Sequence, residues 1–133
     1  MNARHFLVIC LIVLLGLTSS AAPVQRLILR DKFSVGARQS RYWDFTASEG
    51  MEVKGRFRAE GGSGNDIQCM IIDEDAFENW RNGHAVTCYY NSGKVTVANI
   101  YARLPHGRFY LIFSNTFSVA SNKVVEAEVR AVD

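Results

Sequence analysis

Residues able to do chemistry are few in this sequence, and their spacing indicates no catalytic site. Beyond residue 21 the chain has two histidines, His84 and His106. A serine nucleophile needs a base within hydrogen-bond reach and a third group that orients the base. Neither Ser114 nor Ser118 has the flanking glycines of a nucleophile elbow. We therefore expect a protein that is not an enzyme.

The cysteines raise the question of a disulfide or a metal site. Cys10 lies in an apolar N-terminal run, which leaves Cys69 and Cys88 as an even pair. In an oxidising compartment such a pair usually forms a disulfide, here closing a loop worth ~3 kcal/mol in the chain-entropy model. Two buried free thiols are the alternative. Zinc ligation with His84 and His106 lacks a close Cys-x-x-Cys pair, so the expectation is a Cys69–Cys88 disulfide and no zinc.

Hard oxygen ligands are concentrated between residues 65 and 78. Calcium takes six to eight oxygens, often from loops, but the acidic residues here fit no EF-hand spacing. The alternative is a solvated acidic loop whose carboxylates begin a helix. No resident metal or cofactor is therefore predicted, and calcium binding by this loop stays open. The carboxylates are Asp66, Asp73, Glu74, Asp75 and Glu78.

Two groups of residues are candidates for a binding surface. Lys54, Arg56 and Arg58 alternate with apolar residues and form a cationic strand face, which suits an anionic partner or is an ordinary solvent face. Residues 73–83 (DEDAFENWRNG) interrupt the strand pattern with a short helix or an elaborate loop. From this segment the sequence nominates the following residues for the surface: Asp73, Asp75, Trp80 and Arg81. Phe77 is expected to act as a lid over one end of the fold.

The first 21 residues are typical of a secretory signal peptide. Residues 6–17 form a twelve-residue apolar run, and cleavage after Ala21 places small residues at Ser19 and Ala21. The run is shorter than the ~20 residues that span a bilayer. We expect one exported domain, residues 22–133, with no stable membrane span after cleavage. The expected location is extracellular, with the secretory-pathway lumen or the periplasm as alternatives.

Composition and periodicity indicate an all-β domain. The 133 residues are 48% hydrophobic and 21% charged, and the net charge of +2 excludes a strongly cationic nucleic-acid binder, for which a domain pI above ~9 is expected. Apolar and polar residues alternate with period two through most of the chain, as in 53–58 and 125–130. Turn residues separate these runs, including Asn91-Ser92-Gly93. The pattern predicts an antiparallel, jelly-roll-like β-sandwich of about eight strands.

Residues 107–125 (GRFYLIFSNTFSVASNKVV) contain a glycine, an aromatic residue, a Phe-Ser-Asn step, a second Phe-Ser and a lysine before the last apolar strand. This stretch resembles the end of a GOLD (Golgi-dynamics) domain, the lumenal β-sandwich of early-secretory-pathway cargo receptors. The resemblance rests chiefly on Phe113, Asn115, Phe117 and Lys123. It implies an exported interaction module that binds protein partners. The alternative is a carbohydrate- or lipid-binding accessory domain of similar architecture.

Overall fold

The computed structural model describes residues 16–62 and 64–133. Most of the expected signal peptide, residues 1–15, lies outside the described residues, as does Ser63. Residues 16–24 are exposed and contain no helix or strand. The following elements are β1 (Gln25–Val35), β2 (Ser40–Ala47), β3 (Met51–Glu60), β4 (Ile67–Asp73), α1 (Glu74–Arg81), β5 (Tyr90–Val95), β6 (Val97–Leu104), β7 (Gly107–Ser114) and β8 (Lys123–Val132).

The eight strands form two four-stranded antiparallel sheets. Sheet I has the order β1-β8-β3-β6, and sheet II has the order β2-β7-β4-β5. Successive strands cross from one sheet to the other, except for β4 and β5, which pair within sheet II. This is the strand order of a double-sheet jelly roll, so the prediction of an antiparallel β-sandwich is confirmed. The insertion, for which a short helix and a loop were both open, is the helix α1.

The core lies between the sheets because strands such as β3, β6 and β8 alternate inward apolar residues with outward polar ones. In β8, Val125 and Val129 are fully buried, whereas Glu126 is exposed. Phe113 lies near the centre, edge-on to Phe33 and Phe57 with ring centroids 5.2 and 5.5 Å apart. Such edge-to-face pairs stabilise a core beyond the area they bury.

Strand β7 is apolar on both faces, and the structure shows why. It lies inside sheet II, between β2 and β4. Its inner residue Leu111 belongs to the main core, while Tyr110 and Ile112 form a second cluster on the outer side of the sheet. Helix α1 covers that second cluster through the buried Phe77. Phe77 therefore covers a sheet face, and the expectation that it plugs one end of the sandwich is wrong.

Helix α1 begins and ends where its local sequence dictates. The Asp73 carboxylate accepts a hydrogen bond from the Ala76 amide at 2.8 Å, which caps the first turn. Glu74 and Asp75 lie in the positive first turn, and Arg81 lies in the last. Gly83 follows the helix with a φ of 80°, a conformation that glycine adopts without a steric cost.

The turn expected at Asn91-Ser92-Gly93 is wrong, because these residues lie within β5. Their pairing with β4 contains a register shift between Gln68 and Met70, and Gly93 has a φ of 65°. The glycine therefore allows an irregularity inside the strand pair. The chain instead turns from sheet II to sheet I between Val95 and Val97.

Candidate functional site

The surface formed by α1 is held to sheet II by aromatic stacking. The rings of Phe77 and Tyr110 are nearly parallel, at 3°, with centroids 3.7 Å apart. Trp80 is half-buried and also stacks with Phe77, with ring centroids 5.8 Å apart. The guanidinium of Arg81 lies 5.7 Å from the Phe77 ring centre. Trp80 and Arg81 thus help to attach the helix that carries them.

Most charged groups of this surface already have a partner within the fold. Asp73 is occupied as the helix cap, and Arg81 lies 3.8 Å from Glu78. Glu74 lies 3.7 Å from Arg108, which also pairs with Asp44 on β2 at 2.7 Å. The hydrogen bond with Asp44, and then the neighbouring charges, raise the pKa of Arg108. Asp75 is exposed.

The outer face of sheet I is the second candidate surface, and strand register arranges its charges in rows. One row crosses β1, β8, β3 and β6 as Arg30, Glu128, Arg56 and Asn99. The adjacent row is Lys32, Glu126, Arg58 and Val97. We call this outer face the cationic face, because its basic residues outnumber its acidic ones. The basic residues are Arg30, Lys32, Lys54, Arg56, Arg58, Arg103 and Arg130, and the acidic ones are Glu52, Glu60, Glu126 and Glu128.

Glu128 is the acidic centre of the cationic face. Its carboxylate lies 3.3 Å from Arg30 and 3.1 Å from Arg130. Hydrogen bonds from Arg30 and then from Arg130 lower the pKa of Glu128. The carboxylate therefore stays ionised and neutralises part of the charge of those two arginines. The guanidiniums of Arg56 and Arg58 have no ion pair within the part of the chain that the structure describes.

Two depressions lie in the cationic face and share Arg56, Asn99 and Glu128. The larger, about 600 Å³, also reaches Arg30 and Arg58. The smaller, about 290 Å³, extends toward Lys54, Gly55 and Arg130. A side chain at position 55 would collide with the backbone carbonyl of Glu128, so glycine lets β3 and β8 approach closely at this point.

The three cationic residues predicted on β3, Lys54, Arg56 and Arg58, are exposed on the cationic face. Those predicted around α1 are on the opposite side of the sandwich, against sheet II. The structure therefore separates the nominated residues into two surfaces. Sequence reasoning missed Arg30, Lys32 and Asn99, which only strand pairing brings beside β3. For Arg30 and Lys32 the only signal was a basic residue at alternate positions of β1, and Asn99, which is neutral, had no such signal.

The residues that carry the GOLD resemblance lie in the core and at the loops between β1 and β2, β3 and β4, and β7 and β8. Phe113 and Asn115 are fully buried, and Phe117 lies under Lys94, whose ammonium is 4.6 Å from its ring centre. The Asn115 amide donates to three backbone carbonyls, those of Val35, Gly36 and Ser121, at 2.8–3.2 Å. It thereby joins the β1–β2 connection to the β7–β8 connection.

Lys123 opens β8 and is 3% exposed. Its ammonium donates to the Gly61 carbonyl at 2.8 Å, which holds the start of the β3–β4 connection against β8. Lys123 and the other residues of the resemblance are thus positioned to shape loops rather than to contact a ligand.

The predicted Cys69–Cys88 disulfide is wrong: within the described residues both thiols are free. Cys69 points into the main core, with Ile67 and Ile71, whereas Cys88 packs against the outer cluster beneath α1. The two cysteines therefore lie on opposite faces of sheet II, and a disulfide requires Cβ atoms that approach each other closely. Burial raises the pKa of both thiols, that of Cys69 well above its ordinary value.

Within residues 16–62 and 64–133 no three His, Cys, Asp or Glu side chains are grouped to hold a metal ion. The acidic residues considered for calcium are thus not gathered into one such group in that part of the chain. In the same ranges, no helix has the length and apolar character needed to cross a membrane.

No protein-family model matches the chain, and no curated protein matches its sequence.

Proposed function

We propose that this protein is an exported, non-catalytic binding module, GOLD-like in character, whose cationic face binds an acidic segment of a partner protein. The observation that carries the proposal is the contrast between the two outer faces of the sandwich. Helix α1 covers part of sheet II, whereas the cationic face is uncovered, rich in basic residues and indented. Export is supported by the apolar N-terminal run that ends in small residues.

Arginine chemistry favours a carboxylate-bearing ligand. A guanidinium presents a planar set of donors that matches a carboxylate in a bidentate geometry. Arg56 and Arg58 lie on the same face of β3, two residues apart, which places them about 6.6 Å apart along the strand. Alternate residues of an extended acidic segment have the same spacing. Such a segment can therefore meet both guanidiniums at once.

The surface of α1 is the weaker candidate because most of its nominated side chains have structural tasks. Asp73 caps the helix, and Trp80 and Arg81 pack on Phe77. A ligand that engaged these groups would compete with contacts that hold the helix in place. The cationic face offers Arg56 and Arg58 without that competition.

The test compares ligands and matched charge reversals. Binding of the purified protein is measured by fluorescence anisotropy to a ten-residue peptide of alternating glutamate and threonine. Parallel measurements use a sulfated glycan fragment and phosphatidylserine vesicles. We expect the peptide to bind, Arg56→Glu to weaken binding about tenfold, and Arg81→Glu on α1 to leave it unchanged.

Three outcomes would contradict the proposal. Peptide binding lost with Arg81→Glu but kept with Arg56→Glu would move the site to α1. Preference for the glycan or for the vesicles would replace the protein partner by the carbohydrate- or lipid-binding alternative. Absence of binding to all three probes would overturn the assignment of the cationic face.

A further inference from the structure

The free edge of β6 differs from the other three sheet edges. Unpaired edges template the addition of another strand unless bulges or charges oppose it. Strand β1 has a register shift between Leu27 and Leu29, and β5 carries the extra residue of its register shift against β4, between Asn91 and Lys94. Strand β2 is an edge of sheet II and so does not border the cationic face, and its Thr46 carbonyl accepts a hydrogen bond from the Arg26 side chain. Strand β6 pairs with β3 over eight residues without any shift.

The outward side chains of β6 do little to oppose an added strand. Val97 and Tyr101 are 66% and 55% exposed, and between them lies the neutral Asn99. Arg103 is the charged residue of the strand, and the strand contains no proline. A regular edge with exposed β-branched and aromatic residues is the kind that accepts a further strand.

Strand register identifies which backbone groups of β6 face this edge. The Thr96 carbonyl accepts from the Ala59 amide at 2.7 Å, and the Leu104 carbonyl accepts from the Gly50 amide at 2.8 Å. The backbone N–H and C=O groups of the even-numbered residues therefore point toward β3. Because these directions alternate along an antiparallel strand, the backbone groups of the odd-numbered residues point to the free edge. The Asn99 carbonyl accordingly accepts from the Tyr90 hydroxyl of sheet II, at 2.9 Å.

We propose that the acidic ligand binds as an extended strand added to the free edge of β6, with its acidic side chains directed over the cationic face. This inference rests on the proposed function and names how the same partner is held. The Asn99 amide, whose carbonyl is already bonded to Tyr90, and the backbone groups of Val97, Tyr101 and Arg103 pair with the ligand. This is the strand-addition mode of peptide recognition. Charge decides the occupant, because a second copy would bring one cationic face beside another.

The geometry lets backbone and side chains act together. An added strand lies about 9–10 Å from β3, twice the spacing of neighbouring strands. Asn99 is the β6 residue between that strand and Arg56, and its short side chain leaves room for Arg56 to reach a glutamate. Edge hydrogen bonds give the ligand its extended conformation, and the arginines select acidic residues.

The first test removes one backbone hydrogen-bond donor from the free edge of β6 and leaves the hydrogen bonds between β6 and β3 intact. Asn99→Pro deletes an amide hydrogen that points to the free edge, a position where proline is compatible with a strand. Asn99→Ala is the matched control, since it removes the same side chain and keeps that amide. We expect Asn99→Pro to weaken binding of the alternating Glu-Thr peptide about tenfold and Asn99→Ala to change it little.

A second test modifies the peptide, so that it does not depend on how Asn99→Pro folds. Two peptides carry N-methyl groups either on every glutamate or on every threonine. In an added strand only one of these two sets of amides bonds to β6, so one peptide loses binding and the other retains it.

The outcomes separate this inference from the proposed function. If Arg56→Glu abolishes binding while both methylated peptides and Asn99→Pro behave like their controls, the ligand lies on the face without adding a strand. The proposed function then stands and the inference is overturned. If the unmodified peptide fails to bind the wild-type protein, both are overturned.

Discussion

Phe77 lies face to face with Tyr110, with ring centroids 3.7 Å apart and planes 3° from parallel. This contact fastens α1 to the outer side of sheet II, where Phe77 is 4% exposed. Replacing a buried phenylalanine by alanine costs roughly 3–5 kcal/mol. We therefore expect Phe77→Ala to lower the free energy of unfolding by about that amount, measured by urea denaturation.

Trp80→Ala is the control for this prediction, because Trp80 also stacks with Phe77 but is only half-buried. Its removal leaves the Phe77–Tyr110 stack in place and should cost less. If Trp80→Ala lowers the free energy of unfolding as much as Phe77→Ala does, or more, Phe77 is not the main contact that holds the helix on sheet II.

The two thiols should differ in reactivity because they occupy different environments. Cys69 is fully buried and its pKa is raised well above the ordinary value, so the thiol stays protonated and shielded. Cys88 is partly exposed and its pKa is raised less strongly. We expect a thiol-specific dye to label Cys88 in the native protein and both residues in denaturant. Two blocked cysteines that appear only after reduction would refute the unpaired arrangement.

Asn115 should be sensitive to a substitution that keeps its shape. Its amide donates to three backbone carbonyls, one at the end of β1 and two in the β1–β2 and β7–β8 connections. Asn115→Asp replaces this donor by a carboxylate that the carbonyls repel. Since a buried unsatisfied polar group costs about 1–3 kcal/mol, we expect a loss of roughly 2–4 kcal/mol at neutral pH. Protonation of the aspartate should reduce the loss in acid. The exposed Asn79→Asp is the matched control, and a loss there as large as at Asn115 would contradict the account.

Stability should depend on Glu128 in acid. Its pKa is lowered in the folded protein by hydrogen bonds from Arg30 and Arg130. The carboxylate therefore stabilises the fold above its unfolded pKa, and this contribution is lost as the pH falls through the lowered folded value. We expect Glu128→Gln to have a lower Tm than wild type at pH 7 and a smaller difference at pH 3. Because the pair is exposed, salt should also shrink the difference. A Tm difference between wild type and Glu128→Gln that is larger at pH 3 than at pH 7 would contradict a stabilising role of the ionised Glu128 carboxylate.

Period-two alternation was sufficient to predict the sandwich, since inward and outward residues are separated on strands such as β8. The helix was one of two alternatives that the sequence left open for residues 73–83, indicated by the acidic residues at its start and by Gly83 at its end. The cap at Asp73 became visible only in the structure. The predicted disulfide failed because the alternation did not show that Cys69 and Cys88 face opposite sides of sheet II. The turn predicted at Asn91 to Gly93 was wrong because glycine is also common at bulges within strands, where the backbone needs an unusual conformation.

The cationic face was only partly foreseeable. Lys54, Arg56 and Arg58 stand on one strand, so alternation alone places them together. Arg30 and Asn99 reach the same row through pairing of β1 with β8 and of β3 with β6. Pairing between strands distant in sequence depends on tertiary packing, which local patterns do not encode.

The most direct test of the central claim is an amide chemical-shift titration of the ¹⁵N-labelled protein with the alternating Glu-Thr peptide. The account predicts shifts concentrated on the cationic face, at Arg56, Arg58 and Asn99, with α1 unaffected. Shifts concentrated at Asp75 and Arg81 on α1, with the cationic face unchanged, would contradict it.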